Sequence, residues 1–124
     1  MTKATNALNW FEIPVGDLDR AHRFWQAVLA EDLRIESFGG RPHALFPMQE
    51  PGVGGALVKD EQRKPAADGS LIYLNVDGRL DACIGRVGKA GGAVVLPRTG
   101  IGEHGFIAMV RDSEGNLVGL HSMT

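Results

Sequence analysis

Only one cysteine, Cys83, occurs in the 124 residues. It has no partner within the chain, which excludes an intrachain disulfide and a Cys-rich zinc site. A reducing, cytoplasmic setting is the expectation that follows. Neither sign of charge is in large surplus, since 13 basic and 15 acidic residues leave a formal charge of −2. Nucleic acid and anionic membranes favour a basic face, so neither is expected as a partner. Long apolar runs are missing too. None approaches the roughly 20 residues that span a bilayer, and the opening MTKATNALNW lacks the apolar centre of a signal peptide. Aromatics make up only 6% of the chain, yet hydrophobic residues reach 44%, enough for the core of one domain. Glycine is plentiful instead. Its 17 copies punctuate short elements and form no flexible tract.

Residues 9–15 (NWFEIPV) alternate, with Phe11, Ile13 and Val15 on one face and Trp10, Glu12 and Pro14 on the other, which predicts a strand. Gly16-Asp17 breaks it, and Asp17 is a suitable N-cap. The apolar spacing then becomes helical through Leu18, Ala21, Trp25, Val28 and Leu29, with Phe24 and Trp25 read as core. Strands are expected at 33–38, 43–48 and 54–59, separated by Gly and Pro turns. The polar stretch from Asp60 to Gly69 reads as a solvated linker. After it the order restarts. A strand at 70–76 precedes a helix at 79–89 carrying Leu80, Ile84 and Val87, closed by Gly91-Gly92. Strands at 93–97, 105–111 and 117–122 follow, the last two joined by the tight turn Asp112 to Asn116.

Both halves therefore run strand, helix, three strands, and Val15-Gly16-Asp17 has a counterpart in Val76-Asp77-Gly78, sixty-one positions on. The expected fold is α+β, with two tandem βαβββ modules (about 8–60 and about 69–123) in one domain over residues 1–124. The halves should pack to bury the sheet faces that each would leave bare. EIPVGDLDRAHRFWQAVLA resembles the opening strand and helix of the vicinal oxygen chelate superfamily, and RDSEGNLVGLHS resembles its closing turn and strand. That superfamily includes glyoxalase I, bleomycin-resistance proteins and extradiol dioxygenases. The resemblance implies a cupped mixed sheet and a homodimer.

For the metal-dependent members it also implies four His or Glu ligands, on the first and fourth strands of each half. Aligned on Val15-Gly16-Asp17, on Val76-Asp77 and on Asp112 to Gly115, three of these positions fall on Trp10, Leu71 and Gly119, while Gly54 to Val58 offers no donor. Indole, isobutyl and hydrogen cannot bind a divalent ion, so no metal cofactor is expected. A shifted site would need Glu12, His121 and a third donor such as His43, His104 or a partner's residue.

The candidate catalytic residues are Glu12 and His121. On the face shared with Trp10, Glu12 would be a partly desolvated carboxylate able to act as a base, or else a structural partner of Arg41 or Arg111. His121 alternates with Gly119 and Leu117, so it either faces the cup for proton transfer or sits exposed near the C-terminus. Trp10, Tyr73, Asn75 and His104 are the candidate ligand-binding residues. Trp10 offers a flat stacking surface, Tyr73 and Asn75 share the inward face of Leu71, and His104 lies in the Gly100–Gly105 loop beside a strand. His104 itself reads first as a surface histidine, while His43 at a strand start and His22 on the polar side of the first helix are not singled out for function. Two functions compete. One is binding of a small organic molecule in an apolar cup without metal; the other is a lyase, isomerase or dioxygenase using Glu12 or an atypical metal site. A purely structural module is a third, weaker reading.

Overall fold

The computed structural model describes residues 6–124. The first five residues, part of the segment read for a signal peptide, lie outside the described residues. Alternation on β1 (Trp10–Pro14) turns Ile13 inward and leaves Trp10 and Glu12 on the open side. Asp17 then leaves the strand, and its carboxylate accepts from the Arg20 N–H at 3.0 Å to start α1 (Leu18–Leu29). Ala21, Phe24, Trp25, Val28 and Leu29 form its buried stripe. β2 (Arg34–Phe38) and β3 (Arg41–Leu45) are joined by Gly39-Gly40, both at positive φ (60° and 76°), the backbone that a two-residue hairpin requires. β4 (Gly54–Val58) returns parallel to β1, giving the sheet order β1-β4-β3-β2.

The second module repeats this plan. β5 (Tyr73–Asn75) leads to α2 (Leu80–Ala90), which ends at Gly91 with φ 108°. β6 (Ala93–Gly100), a 3-10 turn at Gly102–His104, β7 (Phe106–Arg111) and β8 (Leu117–Ser122) complete a sheet of order β5-β8-β7-β6. Both predicted βαβββ modules are therefore present. No ladder joins edge strand β1 to edge strand β5, so the sheets remain two.

One hydrophobic core serves both modules. It lies where α1 and α2 pack against each other and against the helix-side faces of the sheets, around Trp25, Phe24, Leu57, Leu80 and Leu120. Burying each such side chain contributes about 1.5–3 kcal/mol. Polar groups cross the same seam. The Arg86 Nε–H donates to the Val28 carbonyl at 2.9 Å, and Arg79 donates to the Leu29 carbonyl at 2.6 Å. The turn between β7 and β8 makes the densest of these links. Glu114 accepts from the Gly16 and Asp17 N–H groups at 3.0 and 2.9 Å, and from Arg20 Nε at 2.7 Å. It thus caps the first helix of the other module. Asp112 accepts from the Trp25 indole at 3.4 Å, and Asn116 donates to the Pro14 carbonyl at 2.8 Å.

Four expectations change. Sheet burial is one-sided: the helix-facing sides are covered, while Trp10, Phe38, Leu71, Tyr73 and Val95 stay exposed on the chain's surface. The third strand begins at Arg41 rather than His43, because the Gly39-Gly40 turn fixes the hairpin register. The linker is anchored as well as solvated. Asp60 binds Arg63 and Arg41 at 2.5 and 3.5 Å, and the Ala66 N–H donates to Asn116 at 3.1 Å. His22 is half-buried, its Nε2–H donating to the Leu33 carbonyl at 2.7 Å, and is no free surface histidine.

Candidate functional site

The open face of the first sheet forms a hollow. Its floor includes the small residues Gly54 and Gly55 of β4, which pairs in parallel with β1 and sets them level with Trp10 and Phe11. Its walls are Trp10 and Glu12 from β1, Arg34, Glu36 and Phe38 from β2, His43 from β3 and Met48 from the following loop. The larger part of the hollow has a volume of about 700 Å³, and a lobe of about 340 Å³ lies between Trp10, Glu12, Phe38 and His43. All these lining residues come from the first module.

Glu12 is not the desolvated carboxylate that its neighbours suggest, because 46% of its side chain is open. Its partners differ as well. The Trp10 indole N–H donates to Oε2 at 3.2 Å, and His43 Nε2 lies 3.7 Å from the same oxygen. Arg41 is bound to Asp60 instead. His43 itself is buried, 8% exposed, with Phe38 edge-on at 5.0 Å. Its Nδ1–H donates to the Arg41 carbonyl at 2.8 Å, which turns Nε2 toward Glu12. Sequence reasoning passed over His43 as a strand-start residue. The Gly39-Gly40 pair was the signal, since a two-residue hairpin sets His43 opposite Glu36 in mid-strand.

The open face of the second sheet carries the other candidates. Tyr73 pairs with Gly119 and Asn75 with His121, as the alternation predicts. Tyr73 is 42% exposed, and its ring lies so close over Gly119 that any side chain there would overlap it. Asn75 accepts from the Asp77 N–H at 2.9 Å, which commits its oxygen to the turn before α2. The His121 Nε2–H donates to the His104 carbonyl at 2.7 Å and anchors the 3-10 turn. The His104 imidazole is itself exposed, with Glu103 3.9 Å away.

Trp10, Leu71 and Gly119 stand at three positions where the resemblance implies metal ligands, and β4 supplies no side-chain donor. Among the described residues, no three His, Cys, Asp or Glu side chains converge in a metal-binding group, and the shifted set of Glu12, His121 and a third histidine is not assembled within one chain. The residues present do not fit a divalent ion.

Glu114, which the sequence did not single out, is the most perturbed acid. Burial would raise its carboxyl, but the Arg20 guanidinium, the Asp17 N–H, the Ser113 hydroxyl and the Gly16 N–H together hold it down at about 2, from an ordinary 4.5. It lies at the module seam and outside the hollow, so its role is to hold the fold.

No helix among the described residues is long and apolar enough to cross a membrane. No curated protein matches the sequence. Solved structures do resemble it. A glyoxalase/bleomycin resistance protein from Albidiferax ferrireducens T118 superposes with a TM-score of 0.74 at 16% identity, over 94% of this chain and 98% of that one. TnmS3, described as an antibiotic binding protein from Streptomyces sp. CB03234, gives 0.72 at 24% identity, over 99% and 100%. UcmS2 gives 0.67 at 25% identity, over 95% and 98%. The model of the Glyoxalase/Bleomycin resistance protein/Dioxygenase superfamily matches residues 7–120. By this match, and by its paired βαβββ modules, the chain belongs to the glyoxalase/bleomycin resistance protein/dioxygenase superfamily.

Proposed function

We propose that this protein binds a small organic molecule in the hollow over the first sheet, without a divalent metal. The observation that carries this reading is the wall itself. Exposed Trp10 and Phe38 flank a space of about 700 Å³ with few polar groups on its floor, and the positions where a metal would be held have no donors. Such a surface suits stacking and apolar contact. The likeness to TnmS3, described as antibiotic-binding, supports the same class of function.

A second copy of the chain completes the site in this reading. The hollow is lined by one module only, while the second module presents Tyr73, Leu71 and Val95 on an open face of its own. Two copies can lay these faces together, bringing Tyr73, Asn75, His121 and the His104 turn opposite Trp10 and Glu12. The lone buried cysteine suits a cytoplasmic protein of this kind.

A second reading is proton transfer, as in a lyase or isomerase. It is favoured by one contact, the 3.7 Å approach of His43 Nε2 to Glu12, two groups that can exchange a proton with a bound molecule.

Fluorescence titration with a neutral tricyclic probe, anthracene methanol, tests the binding reading, with elemental analysis of untagged protein alongside. Saturable binding that is lost in Trp10→Ala, with only substoichiometric metal, is the expected result. Failure of this probe and of its ammonium and carboxylate analogues alike to bind, or one equivalent of Zn, Ni, Mn or Fe, would refute it.

A further inference from the structure

We propose that the hollow over the first sheet selects a ligand that is both aromatic and positively charged; this rests on the small-molecule reading above and adds the ligand's chemical class. The wall is strongly acidic. Carboxylates of Glu12, Asp32, Glu36 and Glu50 line it against the single guanidinium of Arg34, which is already bound to Glu36. The whole chain has a formal charge of only −2, so negative charge is concentrated here. A concave wall of one sign focuses its field and raises the local concentration of opposite charge.

The Trp10–Glu12 pair gives that field a defined receptor. The indole N–H donates to Glu12 at 3.2 Å, which holds the carboxylate beside the ring, and both groups remain nearly half open. A cation resting on the indole face meets the negative face of the ring and the carboxylate together. The basic groups nearby are already engaged. Arg41 lies 3.5 Å from Asp60, and His43 donates its Nδ1–H to the Arg41 carbonyl, with its Nε2 3.7 Å from Glu12. A neutral ligand here would shield Glu12 from water without replacing that hydration, and an anion would be repelled. The aromatic pair favours a flat body, and the carboxylates favour a protonated amine upon it.

Three probes with one ring system test this: anthracene methylammonium, anthracene methanol and anthracene carboxylate, titrated against the unmodified protein and Glu12→Gln. The ammonium should bind about tenfold or more tighter than the alcohol, an advantage that shrinks as salt is added. Glu12→Gln should bring the two within about threefold of each other, chiefly by weakening the binding of the ammonium. If the alcohol or the carboxylate binds as tightly as the ammonium, charge selection is overturned and small-molecule binding stands. If none of the three binds, both readings fall. Full retention of the ammonium preference in Glu12→Gln, with a salt-independent ratio in the unmodified protein, also overturns the proposal.

Discussion

Replacing Glu114 with Gln tests whether the turn between β7 and β8 holds the two modules together. The Glu114 side chain is fully shielded from solvent (0% exposed), whereas its partner Arg20 is 52% exposed. Its carboxyl is held at about 2 against an ordinary 4.5. At about 1.36 kcal/mol per unit, that difference is worth roughly 3 kcal/mol of folding free energy. Solvent reaching Arg20 screens part of this, so about 2–3 kcal/mol is expected. For a domain of this size the loss corresponds to a melting-temperature drop of roughly 6–15 °C. The pH dependence gives a second signature. A depressed carboxyl contributes stability that is fully present above its unfolded value near 4.5 and is lost as pH falls toward its folded value near 2. The gap between parent and Glu114→Gln, measured by urea unfolding at fixed protein concentration, should therefore be full at neutral pH and shrink by more than half by about pH 3. Arg20→Gln should show much of the same loss, and the double variant less than the sum. A Glu114→Gln protein within about 0.5 kcal/mol of the parent, or a gap that does not change on acidification, would refute the reasoning.

Gly119→Ala should cost about 1–3 kcal/mol because a methyl group there meets the Tyr73 ring, and Tyr73→Ala in the same chain should recover most of the loss in a denaturant melt. Gly91→Ala should cost about 1–2 kcal/mol, since Gly91 closes α2 at φ 108°, where a side chain is strained; circular dichroism melts report it. Trp10→Ala should leave the melting temperature within about 2 °C, because Trp10 is 44% exposed and lies outside the core. Sedimentation at micromolar concentration should give about twice the 13.3 kDa of one chain, and a mass near 13.3 kDa would remove the second copy from the site.

Where one face of an element meets the core, its pattern was readable in advance. Phe11 and Ile13 against Trp10 and Glu12, or Ala21 to Leu29 along α1, follow from periods of two and 3.6 with no knowledge of partners. Gly91 and Asp17 marked helix ends because their chemistry is local. The same alternation gave the facing of Tyr73, Asn75 and His121. His43 escaped because its place depends on hairpin register, and a shift of strand start from 43 to 41 changes which residues it meets. Glu114 escaped for a different reason. Its partners Gly16, Asp17 and Arg20 are 94 to 98 positions away, and no local spacing encodes such a contact. The openness of Glu12 was likewise unreadable, since a strand pattern says which side a residue faces and not what covers that side.

The one-sided core has a consequence for how such a protein can change over time. Helices α1 and α2 and the Glu114 turn carry the stability on one side of each sheet, while residues such as Trp10, Phe38 and Leu71 stand on the other. Exchanging an outward residue therefore disturbs few interior contacts and should cost little folding free energy, typically within about 0.5 kcal/mol. Gly119, roofed by Tyr73, is the exception, and it ties two of these positions to each other. Selection acting on what the hollow accepts can thus proceed almost independently of selection for a folded chain, with Tyr73 and Gly119 obliged to move as a pair.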